Sequence, residues 1–206
     1  MVCHSGVGLT PIVDGKTLHF SAGGLYNGLV MLFDDETGSY WDHITGECVH
    51  GPSKGKTLET WGIEMTNVEA ELKRGNTPVL LSQPNWFGRI MAFFSRNASR
   101  SSGFFPPRFR GTMSEVDPRL PEFEHGLGVV VDGVPTFYPM ALIGEGLTDG
   151  DLQIRIDPDD GIPVARINPA AEGEQRPFQL FSRWYGFSLT WPGCRVYSAS
   201  AEPSAE

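Results

Sequence analysis

Over most of the chain, bulky and polar residues alternate in short runs that end at Gly-containing turns, the period of half-buried strands. Residues 12–20 read as a hairpin, because apolar residues flank Asp14-Gly15, a pair that tolerates the positive φ of a tight turn. Residues 25–33 form a mostly apolar run that stops at the turn Asp34-Asp35-Glu36-Thr37-Gly38, and 39–44 alternate again. Gly46 to Gly55 reads as a loop. Strand signals resume over 127–138 around Asp132-Gly133, and over 152–167 around Pro158-Asp159-Asp160-Gly161.

Helical periodicity is sparse. Residues 66–74 predict a helix with Thr66 as cap and Glu69 completing a capping box, and with Val68 and Leu72 on one face. Gly75-Asn76 stops it and 79–81 return as a strand. Residues 178–189 predict a second, aromatic-rich helix, ended by Pro192-Gly193 and followed by a strand at 195–197. Between the halves, residues 84–126 hold Pro84, Pro106, Pro107, Pro118 and Pro121 and read as a long connection with a short helix near 90–94.

The fold class expected is therefore a β-rich α+β protein. It has two related lobes of short antiparallel strands, each with a helix–turn–strand unit. The first lobe spans 1–83, the connection 84–126 and the second lobe 127–198, and a small polar tail at 199–206 frays.

Composition narrows this picture. The 206 residues suffice for one ordinary domain or two small lobes, and 40% hydrophobic content can build a core. Gly 25 and Pro 16 favour turns over long helices. A formal net charge of -9 makes duplex nucleic acid a poor partner. No apolar run approaches the ~20 residues that cross a bilayer. No basic-then-apolar leader precedes the first motif, so the chain as it stands reads as cytoplasmic. Three cysteines (Cys3, Cys48 and Cys194) are too few for a disulfide framework, and a single Cys3–Cys48 bridge stays open.

Four stretches carry a family resemblance. They are Cys3-His4-Ser5-Gly6-Val7 with its hairpin, Asp35 to Trp41 continuing to Gly51-Pro52, Asp117-Pro118-Arg119-Leu120-Pro121 leading into 128–139, and 181–185 with Pro192 and Val196-Tyr197. Together they resemble the family called domain of unknown function 3179 over most of residues 3–197. The resemblance brings no established activity, and it implies relatives that are often exported or lipid-anchored. It also implies a Cys-x-x-Cys pair whose first Cys falls one residue before Met1, and an upstream Asp-Gly segment that is missing. An N-terminally truncated chain is the expectation. An extracytoplasmic protein follows if the missing segment carried a signal.

Three constellations could carry chemistry. Cys3, His4, His43, Cys48 and His50 offer the thiolate and imidazole ligands that hold zinc or copper, although no spacing matches a known finger or ribbon. The bland alternative makes the histidines ordinary hydrogen-bonding residues and Cys48 a small apolar group. Arg89, Arg96, Arg100, Arg108 and Arg110 lie among phenylalanines within residues 86–110, without an acid. This island suits an anionic ligand, a membrane surface or single-stranded nucleic acid, or else a loop anchored by Phe whose Arg side chains stay solvated or pair with acids. Asp34, Asp35, Glu36 and Asp42 supply carboxylates, either for acid–base work or simply as turn formers. Nucleophile-elbow and phosphate-loop patterns are absent.

Two functions remain open. One is a metal-binding or accessory protein. The other is an enzyme with a site between the lobes and Asp42 or His43 as its acid–base group.

Overall fold

The structure, a computed structural model, describes residues 5–79, 108–167 and 176–198. Strand outweighs helix, 42% to 13% of the described residues, in several small antiparallel sheets. The fold is β-rich α+β.

Two turn chemistries set the strands. The first is a two-residue turn with positive φ at both positions: Asp14-Gly15 (50° and 74°), Asn27-Gly28 (51° and 71°) and Asp132-Gly133 (50° and 76°). These join β2 (Ile12–Val13) to β3 (Lys16–Thr17), β4 (Phe20–Tyr26) to β5 (Leu29–Asp34), and β9 (His125–Val131) to β10 (Val134–Pro139). The second is Asp-x-x-x-Gly, at 34–38, 42–46 and 157–161. In each, the Gly N–H donates to the Asp carbonyl, at 3.0, 3.0 and 2.8 Å. The Asp carboxylate accepts backbone N–H groups inside the turn, from Thr37, from Ile44 and Thr45, and from Asp159 respectively. These turns join β5 to β6 (Tyr40–Asp42), β6 to β7 (Cys48–His50), and β12 (Leu152–Ile156) to β13 (Pro163–Ile167).

Strands β4 to β7 form a four-stranded meander. Strand β1 (Val7–Thr10) pairs with β8 (Glu59–Gly62). In the second half, β14 (Phe178–Arg183), β9, β10 and β15 (Arg195–Val196) lie in that order, with β10 and β15 parallel. Strands β11 (Leu147–Asp149), β12 and β13 form a separate three-stranded sheet. The helices are α1 (Val68–Lys73), α2 (Met140–Ile143) and α3 (Trp184–Thr190), with a 3-10 turn at Phe109–Thr112.

The central core joins the two halves. Leu29 and Ile44 pack with Phe109, Phe137, Leu180, Trp184, Tyr185 and Phe187. Helix α3 is buried all round over its first five residues. Its leading amides find partners outside the helix, Trp184 N–H on Glu124 O at 2.8 Å and Tyr185 N–H on Glu122 O at 3.0 Å. A Cβ at Gly128 would stand 2.1 Å from the Phe187 ring, so only glycine lets β9 pass this close to α3. Gln179 on β14 joins the two sheets of the second half. Its Oε1 accepts from Ala165 N–H at 2.7 Å and its Nε2 donates to Ala165 O at 3.1 Å, so the amide stands in for a strand partner of β13.

The apolar run 25–33 is divided by Asn27-Gly28, which folds it into the β4–β5 hairpin. Three local expectations are corrected. The helix expected over 178–189 starts at Trp184. Residues 178–183 pair instead with β9, whose open edge takes up their backbone groups and favours their aromatic side chains. Helix α1 is capped by Asn67, whose Oδ1 accepts from Ala70 N–H at 2.9 Å, not by Thr66. Its buried side chain is Ala70, while Val68 and Leu72 are exposed. Val79, where a returning strand was expected, is not in a strand and is 86% exposed. Leu80, Leu81 and the helix expected near 90–94 lie outside the described residues.

Candidate functional site

The acids of the first half are held by the fold. Asp34 is fully buried. Its carboxylate accepts from Trp41 Nε1–H at 2.7 Å, Thr37 Oγ1–H at 2.7 Å, Thr37 N–H at 2.5 Å and Ser39 N–H at 3.3 Å. Burial opposes its ionisation, but these donors outweigh burial and hold the carboxyl below the usual carboxylate range. The Asp-x-x-Thr-x-Ser-x-Trp stretch is thus one buried polar hub under the β5–β6 turn. Asp42 is likewise tied down, its Oδ1 accepting from Ile44 N–H at 2.7 Å and Thr45 N–H at 2.9 Å.

The Cys and His set is only partly visible. Cys3 and His4 lie outside the described residues. Cys48 is a free, fully buried thiol packed with Leu18, Trp41 and Leu58, and desolvation pushes its pKa up. Such a thiol behaves as a small apolar group. His50 is exposed with its ring 6.1 Å from that of Tyr40, and His43 sits half-buried in the β6–β7 turn. Among the described residues, no three His, Cys, Asp or Glu side chains come close enough to hold a metal ion.

The arginine island divides in the same way. Arg89, Arg96 and Arg100 lie outside the described residues. Phe109 is buried in the central core, and Arg110 pairs with Glu122 at 2.9 Å and lies 5.7 Å from the Phe123 ring centroid. Arg108 is exposed, with φ of 65° at the head of the 3-10 turn. The described end of the island is therefore an anchored loop with Arg110 paired to an acid. Further along, Arg119 forks onto Asp117, donates to Cys194 O at 2.8 Å and covers Trp184, which clasps the Asp-Pro-Arg-Leu-Pro stretch to α3.

A cleft of about 620 Å³ opens between α1 and the β12–β13 hairpin, where local sequence reading placed no site. Strand alternation explains its hairpin wall. Leu152, Ile154 and Ala165 point into the core, so Gln153, Arg155, Val164 and Arg166 line up on the opposite face. Arg74, at the end of α1, closes one side. Its Nη1 donates to Glu71 at 2.5 Å, and its Nη2 reaches Asp157 at 2.6 Å and Asp160 at 3.5 Å. Arg166 pairs with Glu64 at 2.7 Å. The Glu71 bond, then that to Asp157, raises the Arg74 pKa. The Glu71 carboxyl is lowered by Asn76 and Arg74, and the Asp157 carboxyl by the Asp159 amide and, against burial, by Arg74. Arg155 differs from the other two arginines: among the described residues it forms no ion pair and donates only to the neutral Gln153 Oε1, at 3.0 Å. The local signal for this site was the run of acids at 157–161, of which Asp157 and Asp160 also accept amides within the turn, from Asp159 and Ile162.

The model of a family described as protein of unknown function (DUF3179) matches residues 1–147 of the chain. The α1 wall of the cleft lies inside that match and the hairpin wall lies beyond it. No curated protein and no solved structure matches.

Proposed function

The chain belongs to the DUF3179 family, and from that premise we propose that it is a binding or accessory protein whose ligand sits in the cleft between α1 and the β12–β13 hairpin. The observation that carries this reading is the state of the cleft's charges. General acid–base catalysis calls for a group whose pKa lies near the working pH. Here the groups that shift move away from neutrality: Glu71 and Asp157 are held ionised, and Arg74 is held cationic. Such a lining offers fixed charge for recognition, at a size suited to a small molecule.

The enzyme reading lacks its base in this cleft, because neither Asp42 nor His43 lines it. Zinc or copper binding draws no support from Cys48, whose thiol is buried and pushed up, away from the thiolate that ligation needs.

A panel of small polar and amphiphilic molecules, incubated with the purified chain, tests the proposal. Molecules that raise the melting temperature are expected to be recovered chemically unchanged. Catalytic conversion of one of them, lost in Asp42→Asn or His43→Gln, would overturn the binding reading in favour of the enzyme.

A further inference from the structure

Resting on that reading of the cleft, we propose that its ligand is an aliphatic carboxylate, with the carboxylate on Arg155 and the chain along the apolar strip beside it. The geometry supplies the anion end. A guanidinium presents a planar fork that matches a carboxylate with two parallel N–H bonds. Arg74 and Arg166 already spend their forks on acids, whereas Arg155 is exposed and uses one bond to Gln153. In the strand register Arg155 stands opposite Val164 and Gln153 opposite Arg166. The two arginines are therefore diagonal neighbours on one face, within roughly 7–8 Å by strand geometry, and the charge of Arg166 is already met by Glu64.

The rest of the lining selects the body. Met65, Ile156, Pro158 and Val164 supply the apolar surface, and among the described residues the lining holds no aromatic ring. An aliphatic chain fits that surface, while a nucleobase finds no ring to stack on. Charge selects the head group. Glu64, Glu71, Asp157 and Asp160 face Arg74, Arg155 and Arg166 across the same space, so among the described residues the lining is net acidic. A monoanion meets less repulsion there than a phosphate dianion.

The test is a titration of the full chain followed by amide NMR, with octanoate, octanamide and octyl phosphate as probes. Octanoate is expected to give saturable shifts on α1 and β12–β13, and octanamide to bind at least tenfold more weakly. Arg155→Gln is expected to weaken octanoate at least tenfold with an unchanged melting temperature, because Arg155 is exposed and holds no acid among the described residues. Octyl phosphate binding more tightly than octanoate, or an Arg155→Gln chain that binds octanoate as the parent does, would overturn the carboxylate assignment. If a neutral or cationic molecule shifts the same amides while octanoate does not, the carboxylate assignment falls and the cleft remains a binding site. If neither these probes nor the wider panel shifts the cleft amides, both fall.

Discussion

Asp34→Ala is expected to destabilise the protein by about 4 kcal/mol, the range for breaking a fully buried charged group that several donors address. The substitution leaves the indole N–H of Trp41, which is 0% exposed, without its acceptor, and it releases the amide and hydroxyl of Thr37 together. For a chain of this size that corresponds to a fall of roughly 8–16 °C in melting temperature. Asp34→Asn keeps the shape but turns one acceptor into a donor facing other donors, so it is expected to cost about half as much. The acid limb supplies a second readout. The folded pKa of Asp34 is depressed, so its contribution is fully present above the carboxyl's unfolded value. It is lost as pH falls through the lower folded value. Stability of the parent should therefore drop below about pH 4 more steeply than that of Asp34→Asn. Chemical denaturation at pH 7 and pH 3 measures both. A neutral effect of Asp34→Ala at pH 7, where the carboxylate is ionised, would mean that the hub contributes nothing.

Gln179→Leu is expected to cost about 3 kcal/mol. The volume is kept, but Ala165 loses the partners of both its N–H and its carbonyl in a place where Ala165 is 0% and Gln179 4% exposed. An unmade hydrogen bond on a buried polar group costs on the order of 1–3 kcal/mol. Hydrogen exchange at the Ala165 amide should accelerate far more than exchange in the β4–β7 meander, because the lost bond lies where the two sheets of the second half meet. Uniform acceleration across both halves would point to general loosening instead.

These two residues mark what local sequence could and could not convey. Asp14-Gly15 and Asp132-Gly133 announce their hairpins because the positive φ is demanded within two residues. Asn27-Gly28 carries the same chemistry but lies inside an apolar stretch, where the run of hydrophobic residues masks the turn. Residues 178–183 have the aromatic spacing of a buried helix, yet they become a strand because β9, some fifty residues earlier, offers an unpaired edge. No periodicity within the segment encodes that offer. The cleft is of the same kind. Arg74 meets Asp157 and Asp160 across more than eighty positions of chain, and Arg155 becomes distinctive only once its neighbours have chosen their partners. Asp34, Asp42 and Cys48 look chemical in the sequence, and in the fold each also has a structural contact: the carboxylates accept amides in Asp-x-x-x-Gly turns and the thiol packs against Trp41.

The proposed recognition belongs to the cleft and not to the motif-rich β5–β7 region. Backbone amide mapping during titration, first with zinc and then with the small-molecule panel, tests it most directly. Ligand-dependent, saturable shifts should gather on Val68–Lys73, Leu152–Ile156 and Pro163–Ile167, with none at residues 42–50 in either titration. Saturable shifts at His43, Cys48 and His50, with the cleft amides unmoved, would contradict it.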